Sequence, residues 1–374
     1  MRTTRHILYL ATEYDAPGMR PYARNIINAL WQKGDHILIV TRHGADPNAF
    51  PDIPADAITW IDYPSDKVSK AVFRFKPTSV IKAIDHLLRE HEIDLVYSLT
   101  GELVLASRIQ QIQRQVPVLY TVHDAVYHDY KFSNPFQWVK DRLIIAWPQK
   151  QLFKHTPLKV TNSLEQLDCI AKRFPYHKVH YAPFPTLVNN DIASGNKQVE
   201  ELKSVNDGYI LFFGTIHLYK GVHLFYDAYL SHPELQDRQL VIAGTKDIYF
   251  QRRKDENGIV FINRFIEDCE LKDLFSRAAV VVYPYISATQ SGVTSIASYF
   301  GKPMVLSDLP YFTQTCHDTE GVFFFPNGDI ESLATAISQA VASSASTSAL
   351  YNRIYSFEAL RSSLEDLISQ VATL

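Results

Sequence analysis

The sequence predicts an α/β protein made of two doubly wound units, each a parallel sheet between layers of helices. Three observations carry this. The chain has 374 residues, 46% apolar and 21% charged, a soluble globular make-up of a size suited to about two domains. Short runs rich in Val, Ile, Tyr and Phe recur with helical patterns between them, as expected of strands buried on both faces. A stretch rich in Pro, Asn, Ser and charge, 183–207, separates two sets of such runs.

In the first set the strands are expected at 6–11 (HILYLA), 36–41 (HILIVT), 58–62, 94–98 (DLVYS), 117–122 (PVLYTV) and 159–162. A glycine turn around Gly18 leads from the first strand into a helix over 22–31. In the second set they are expected at 209–214 (YILFFG), 239–244 (QLVIAG), 259–262, 280–284 (VVVYP), 303–307 (PMVLS) and 322–325. The first domain is placed at 1–187, a linker at 188–207 and the second domain at 208–345. After a low-complexity break at 340–348, residues 356–372 read as an amphipathic helix with Ser356 as its N-cap.

Net charge is −3, but residues 1–187 carry 23 Lys and Arg against 18 Asp and Glu, and residues 188–374 carry 14 against 22. Neither half is basic enough for nucleic acid to be the main partner, whereas the first half suits anionic ligands or an anionic membrane surface. The three cysteines, Cys169, Cys269 and Cys316, have no zinc-ligand spacing, and a reducing compartment is expected. No run of 18 apolar residues exists and the start of the chain lacks a cleavable leader pattern, which points to the cytoplasm.

In parallel sheets ligands bind beyond the carboxyl ends of the strands, so chemistry is sought in the strand-to-helix turns. The turn at 285–293 (YISATQSGV) opens a helix with hydroxyls and a glycine, and the amides of Ser291, Gly292 and Val293 suit a phosphate. An ordinary helix cap is the competing reading. The turn at 212–221 (FFGTIHLYKG) supplies Lys220, a cation near a helix start that calls for a compensating anion. His123 and Asp124 close the fifth strand, where a histidine can orient a hydroxyl or a phosphate, or be merely packed.

The order of the Gly18 turn, TVHD at 121–124, FFG-x5-KG at 212–221, VIAG at 241–244, VVYP, SGV and FGKPMVLSD at 300–308 resembles family 4 of the retaining glycosyltransferases across essentially the whole chain. The resemblance implies the GT-B fold, two Rossmann-like domains, with the terminal helix 356–374 completing the first domain. It implies a nucleotide-sugar donor, a glycan or lipid-linked hydroxyl acceptor, no metal and no other cofactor. Carried over position by position, Lys220 and His123 are catalytic, and Gly214, Thr215, Lys220, Gly244, Arg264, Phe265, Thr289, Gln290, Ser291, Gly292 and Val293 form the donor site. Gly18, Met19, Arg20, His123 and Asp124 form the acceptor side. The implied chemistry is front-face transfer with retention, Lys220 holding the charge of the departing diphosphate.

Two departures from the family pattern stand out. The arginine usual after the first glycine is Thr215, and two usual glutamates fall at Ala288 and Ile296. Arg264 or His217 is the candidate replacement for the lost cation, and Thr289, Gln290 and Ser295 for the lost glutamates. They motivate an alternative, a binding or scaffolding member without turnover; a nucleotide-sugar epimerase of the same shape is a third reading. Residues 136–154 (FQWVKDRLIIAWPQKQLFK) mix aromatic and basic side chains, with Pro148 interrupting the helix. They are read as a contact with the inner face of a membrane, against a core-facing helix pair.

Overall fold

The computed structural model describes residues 5–16, 18–123, 146–254, 256–288 and 290–372. The chain divides into two compact units, Met1–Pro185 with Leu360–Leu374, and Thr186–Ala359.

The first unit holds a seven-stranded parallel sheet of β1 (Ile7–Ala11), β2 (His36–Thr41), β3 (Ile58–Asp62), β4 (Leu95–Ser98), β5 (Val118–Val122), β6 (Leu158–Thr161) and β7 (Lys178–Tyr181). Their spatial order is β3-β2-β1-β4-β5-β6-β7, with Leu8 opposite His36 and Ile7 opposite Leu95. Strand β7 is absent from the sequence expectation. Its KVHY is short and polar and, among the described residues, it pairs only with β6, so an edge position spares it the continuous apolar run of a central strand.

The helices of this unit are α1 (Met19–Leu30), α2 (Lys67–Phe75), α3 (Thr78–Glu90), α4 (Ile109–Gln115), α5 (Trp147–His155) and α6 (Leu164–Arg173). Helix α1 starts three residues earlier than expected because Gly18 caps it in a left-handed conformation, φ 80°. Pro148 lies in the first turn of α5, where its missing N–H costs that helix no bond.

The second unit holds six parallel strands, β8 (Tyr209–Phe213), β9 (Leu240–Gly244), β10 (Ile259–Asn263), β11 (Ala278–Tyr283), β12 (Met304–Ser307) and β13 (Val322–Phe325). They are ordered β10-β9-β8-β11-β12-β13. Its main helices are α7 (Asn190–Ser194), α8 (Val222–Ser231), α9 (Leu271–Ser276), α10 (Val293–Tyr299), α11 (Pro310–Cys316), α12 (Ile330–Ala342) and the start of α13 (Phe357–Ala372).

Residues 188–207, expected as a linker, are instead built into this unit. Val188, Ile192, Val199, Leu202 and Val205 are buried in its core, and Asn189 caps α7 by accepting from Ile192 N–H at 2.9 Å. Apolar residues spaced among polar ones are enough to anchor an irregular segment. From Leu360 onward α13 belongs to the first unit, where Arg361 donates through Nε to the Ala29 carbonyl of α1 at 2.7 Å.

In each sheet the chain starts at a central strand, runs to one edge, then resumes on the other side. The switch lies between β1 and β4 in one sheet and between β8 and β11 in the other. Turns leaving those strands are where such folds bind ligands.

Candidate functional site

In the second unit the turns flanking the switch are the two that sequence selects, 214–221 after β8 and 284–292 after β11. Glycine makes their approach possible. A Cβ at Gly244 would stand 1.7 Å from the Gly214 carbonyl oxygen, and one at Gly221 (φ 65°) would stand 1.8 Å from that of Pro284. Gly214 N–H donates to Ala243 O at 3.0 Å and Ile216 N–H to Thr245 O at 2.8 Å, so the turns after β8 and β9 brace each other.

Lys220 ends the short turn Leu218–Lys220, just before α8. Its Nζ donates to the Tyr285 hydroxyl and lies 3.9 Å from the centre of the Tyr285 ring and 5.2 Å from that of Tyr219. The Tyr219 carbonyl accepts from Ile286 N–H at 2.8 Å, tying the two turns together. Burial lowers the Lys220 ammonium to about 8, with Tyr219 opposing the shift. No carboxylate pairs with it among the described residues. Aromatic faces stabilise a cation, but an ammonium has three donors and the partners of this one among the described residues are tyrosines alone, Tyr285 and Tyr219.

The Tyr285 hydroxyl stands 3.4 Å from Ser291 Oγ, and so links the lysine to the second predicted element. Helix α10 opens at Gly292 with no side chain accepting from its first turn. The Ser291 carbonyl is held by the Tyr311 hydroxyl at 2.9 Å. Ser295, expected as a stand-in for a lost glutamate, is buried and spent: its Oγ donates to Gly292 O at 2.6 Å and accepts from Leu187 N–H at 2.9 Å. Gln290 fits better, because its buried carboxamide oxygen has no hydrogen-bond partner among the described residues. Ile296 is a core side chain, 2% exposed. Thr289 lies outside the described residues.

Arg264 does not replace the missing cation. Its guanidinium binds Glu201 at 2.8 and 2.9 Å and the buried Glu270 at 2.8 and 3.0 Å, and those bonds raise its already high pKa. An arginine between two carboxylates has little left for a phosphate. The neighbouring Phe265 is 70% exposed, an unshielded ring at the carboxyl end of β10. His217 is largely exposed, and partial desolvation of its ring together with Lys246 and Lys220 holds its imidazole below the usual range. Thr215 is half-buried beside Gly214.

In the first unit the turns after β1 and β4 are joined by Glu102, for which no local pattern in the sequence gave a signal. Its carboxylate accepts from Thr12 N–H and Thr100 N–H at 2.8 Å, Leu99 N–H at 3.1 Å, and both threonine hydroxyls. Burial still raises its pKa. Next to it Glu13 is raised to about 7 by burial and by Glu102, against the Leu103 amide and Arg74. Glu13 lines a cavity of about 310 Å³ together with Asp15, Arg42, Tyr63 and Arg74.

Gly18 is exposed at the head of α1, with Met19 beside it. Arg20 is paired with Asp15, so it is a braced residue rather than an open cation. His123 Nε2 is 2.8 Å from the Leu99 carbonyl, which fixes a proton on that nitrogen, and its ring meets Tyr22 edge-on at 4.8 Å. It is thus held at the carboxyl end of β5. Asp124 lies outside the described residues, as do 136–145 of the aromatic and basic segment. Of its remainder, Leu152 and Phe153 are in the core and Trp147 is 48% exposed.

No cluster of three or more His, Cys, Asp or Glu placed to hold a metal is found among the described residues, and no described helix is long and apolar enough to cross a membrane.

Two family models match the chain: "Glycosyltransferase Family 4" over 17–186 and "Glycosyl transferases group 1" over 207–343. No curated protein matches. Among solved structures, sucrose-phosphate synthase from Thermosynechococcus elongatus is similar at 17% identity and a TM-score of 0.70, over 98% of this chain and 99% of that one. Anabaena HepE in complex with UDP-glucose is similar at 15% identity and a TM-score of 0.65, over 98% and 100%. The UDP-forming trehalose-phosphate synthase from Burkholderia vietnamiensis is similar at 14% identity and a TM-score of 0.67, over 99% and 100%.

Proposed function

The chain belongs to the glycosyltransferases of family 4 and group 1, with the GT-B fold, and on that premise we propose that it moves a sugar from a nucleoside-diphosphate sugar to a hydroxyl acceptor with retention of configuration. One observation carries the reading: Lys220, a cation in an aromatic setting with no carboxylate partner among the described residues, is linked through Tyr285 to the start of α10. A leaving diphosphate supplies the missing negative charge. HepE, of the same fold, is described in complex with UDP-glucose.

In the proposed step the bond from the sugar's anomeric carbon to the diphosphate oxygen breaks as the bond to the acceptor oxygen forms on the same face. The acceptor proton passes to the departing diphosphate. Lys220 and the amides of Ser291, Gly292 and Val293 stabilise the charge that develops there. The Gln290 carboxamide oxygen accepts from a donor-sugar hydroxyl, Gly214 and Thr215 line the diphosphate turn, and Gly244 with Phe265 borders the base. The acceptor lies on the side of Gly18, Met19 and His123, with the cavity beside Glu13 large enough for one sugar ring. Neither a metal nor a further cofactor is required, and the setting proposed is glycan or glycolipid assembly on the cytoplasmic side of a bacterial membrane.

A second reading, a binding member without turnover, is favoured by Ile296: a position where the family pattern carries a glutamate is filled by core packing. Thermal shift across nucleoside diphosphates and their sugars, followed by transfer assays, separates the two. A bound donor at a hundred times its Kd is expected to stabilise by about 2.7 kcal/mol. Stabilisation without transfer to any acceptor selects the second reading, and no stabilisation by any nucleotide overturns both.

A further inference from the structure

Helix α2 is packed against the usual sense. Of its large apolar residues only Phe73 is buried, while Val68, Val72 and Phe75 are 74%, 56% and 65% exposed. These three stand at i, i+4 and i+7 and therefore share one face, joined by the exposed Ala71. Single exposed apolar side chains need no explanation, but a contiguous stripe on a well-capped helix does. The helix is well capped, since Asp66 accepts from Val68 N–H at 3.1 Å and Ser69 N–H at 2.9 Å.

Charge identifies what covers the stripe. Lys67 and Lys76, both exposed, flank it on either side of the helix. From 66 to 89 the chain carries six Lys or Arg against two Asp. An apolar stripe flanked by lysines matches the boundary between acyl chains and anionic headgroups: the apolar face enters the boundary layer and the ammonium groups stay with the phosphates. A protein groove of acidic character would satisfy the lysines but does not call for a stripe this narrow, and nucleic acid would leave the stripe wet.

We propose that α2 is an element by which this protein docks on an anionic membrane surface. The proposal stands apart from the transfer reaction, because none of Val68, Val72, Phe75, Lys67 and Lys76 belongs to the donor or acceptor residues.

The test is flotation of the full chain with vesicles of phosphatidylcholine, with and without phosphatidylglycerol. Wild type is expected to partition at least about tenfold better onto the anionic vesicles, and less as salt rises. The variant V68S/V72S/F75S and the variant K67Q/K76Q are each expected to lose about tenfold or more, while keeping the wild-type response to nucleotides in thermal shift. The positions are exposed, so folding is not at stake. Wild type remaining at the bottom of the gradient with anionic vesicles overturns the proposal, as does undiminished flotation of V68S/V72S/F75S. A concentration-dependent dimer that V68S/V72S/F75S abolishes, without flotation of wild type, assigns the face to a second copy and also overturns it.

Discussion

Lys159 in the first unit and Lys220 in the second are both withdrawn from water, and burial lowers them to about 7 and about 8. Their partners differ. Lys159 Nζ donates to the carbonyls of Phe153 (2.9 Å) and Thr156 and meets His177 Nδ1 at 2.7 Å. All three donors are used, two of them on carbonyls near the end of α5, where a cation is favoured. Lys220 has only tyrosine partners among the described residues, Tyr285 and Tyr219, through their hydroxyls and ring faces. The comparison teaches that desolvation alone does not single out a candidate lysine; a setting without carboxylate or carbonyl partners does.

The strongest way to break this contrast is to remove each lysine. Lys220→Ala is expected to lower kcat/KM by about a hundredfold or more, since a charge acting on the leaving group is worth about 2.7 to 4 kcal/mol. Thermal unfolding should barely change, and near-normal turnover would take Lys220 out of the mechanism. Lys159→Met should do the reverse. Two carbonyls lose their donor, and a stability loss of about 1 to 3 kcal/mol is expected in urea unfolding, with kcat/KM intact below the transition. A Lys159→Met protein that is stable but inactive would erase the distinction.

Titration sharpens it further. The lowered value of Lys220 means that its ammonium is present below about pH 8 and lost above it. Nucleoside-diphosphate affinity should therefore fall by up to about tenfold per pH unit above 8, with proton uptake on binding near that pH. Calorimetry in two buffers of different ionisation enthalpy measures the uptake. An affinity that stays flat to pH 10 would show that the cation is not what the diphosphate meets.

How much of this could be read in advance follows from the range of the forces involved. Strands such as HILYLA and VVVYP were legible because central parallel strands are buried on both faces and must be apolar throughout. The edge strand Lys178–Tyr181 escaped because it carries no such demand. The strand-to-helix turns that hold Lys220, Gly221 and Ser291 to Val293 were legible because glycines and hydroxyls gather there. Arg264 misled: nothing near it in sequence reveals Glu201, which lies sixty-three positions away. Tyr285 went unnoticed because a tyrosine after a strand is ordinary until a lysine from another turn rests on its ring.

Periodicity and turn chemistry, both properties of neighbouring residues, settled the α/β class and the two-unit plan and pointed to the turns of the candidate site. Which charges are spent and which are left over was decided only by folding, because it depends on partners distant in the chain. Arg264 between two glutamates, Arg20 on Asp15, Lys159 on carbonyls and Lys220 on tyrosines are one residue class in four electrostatic situations. Coulombic and hydrogen-bond energies act across a few ångströms of space, and only the tertiary structure turns sequence separation into that distance.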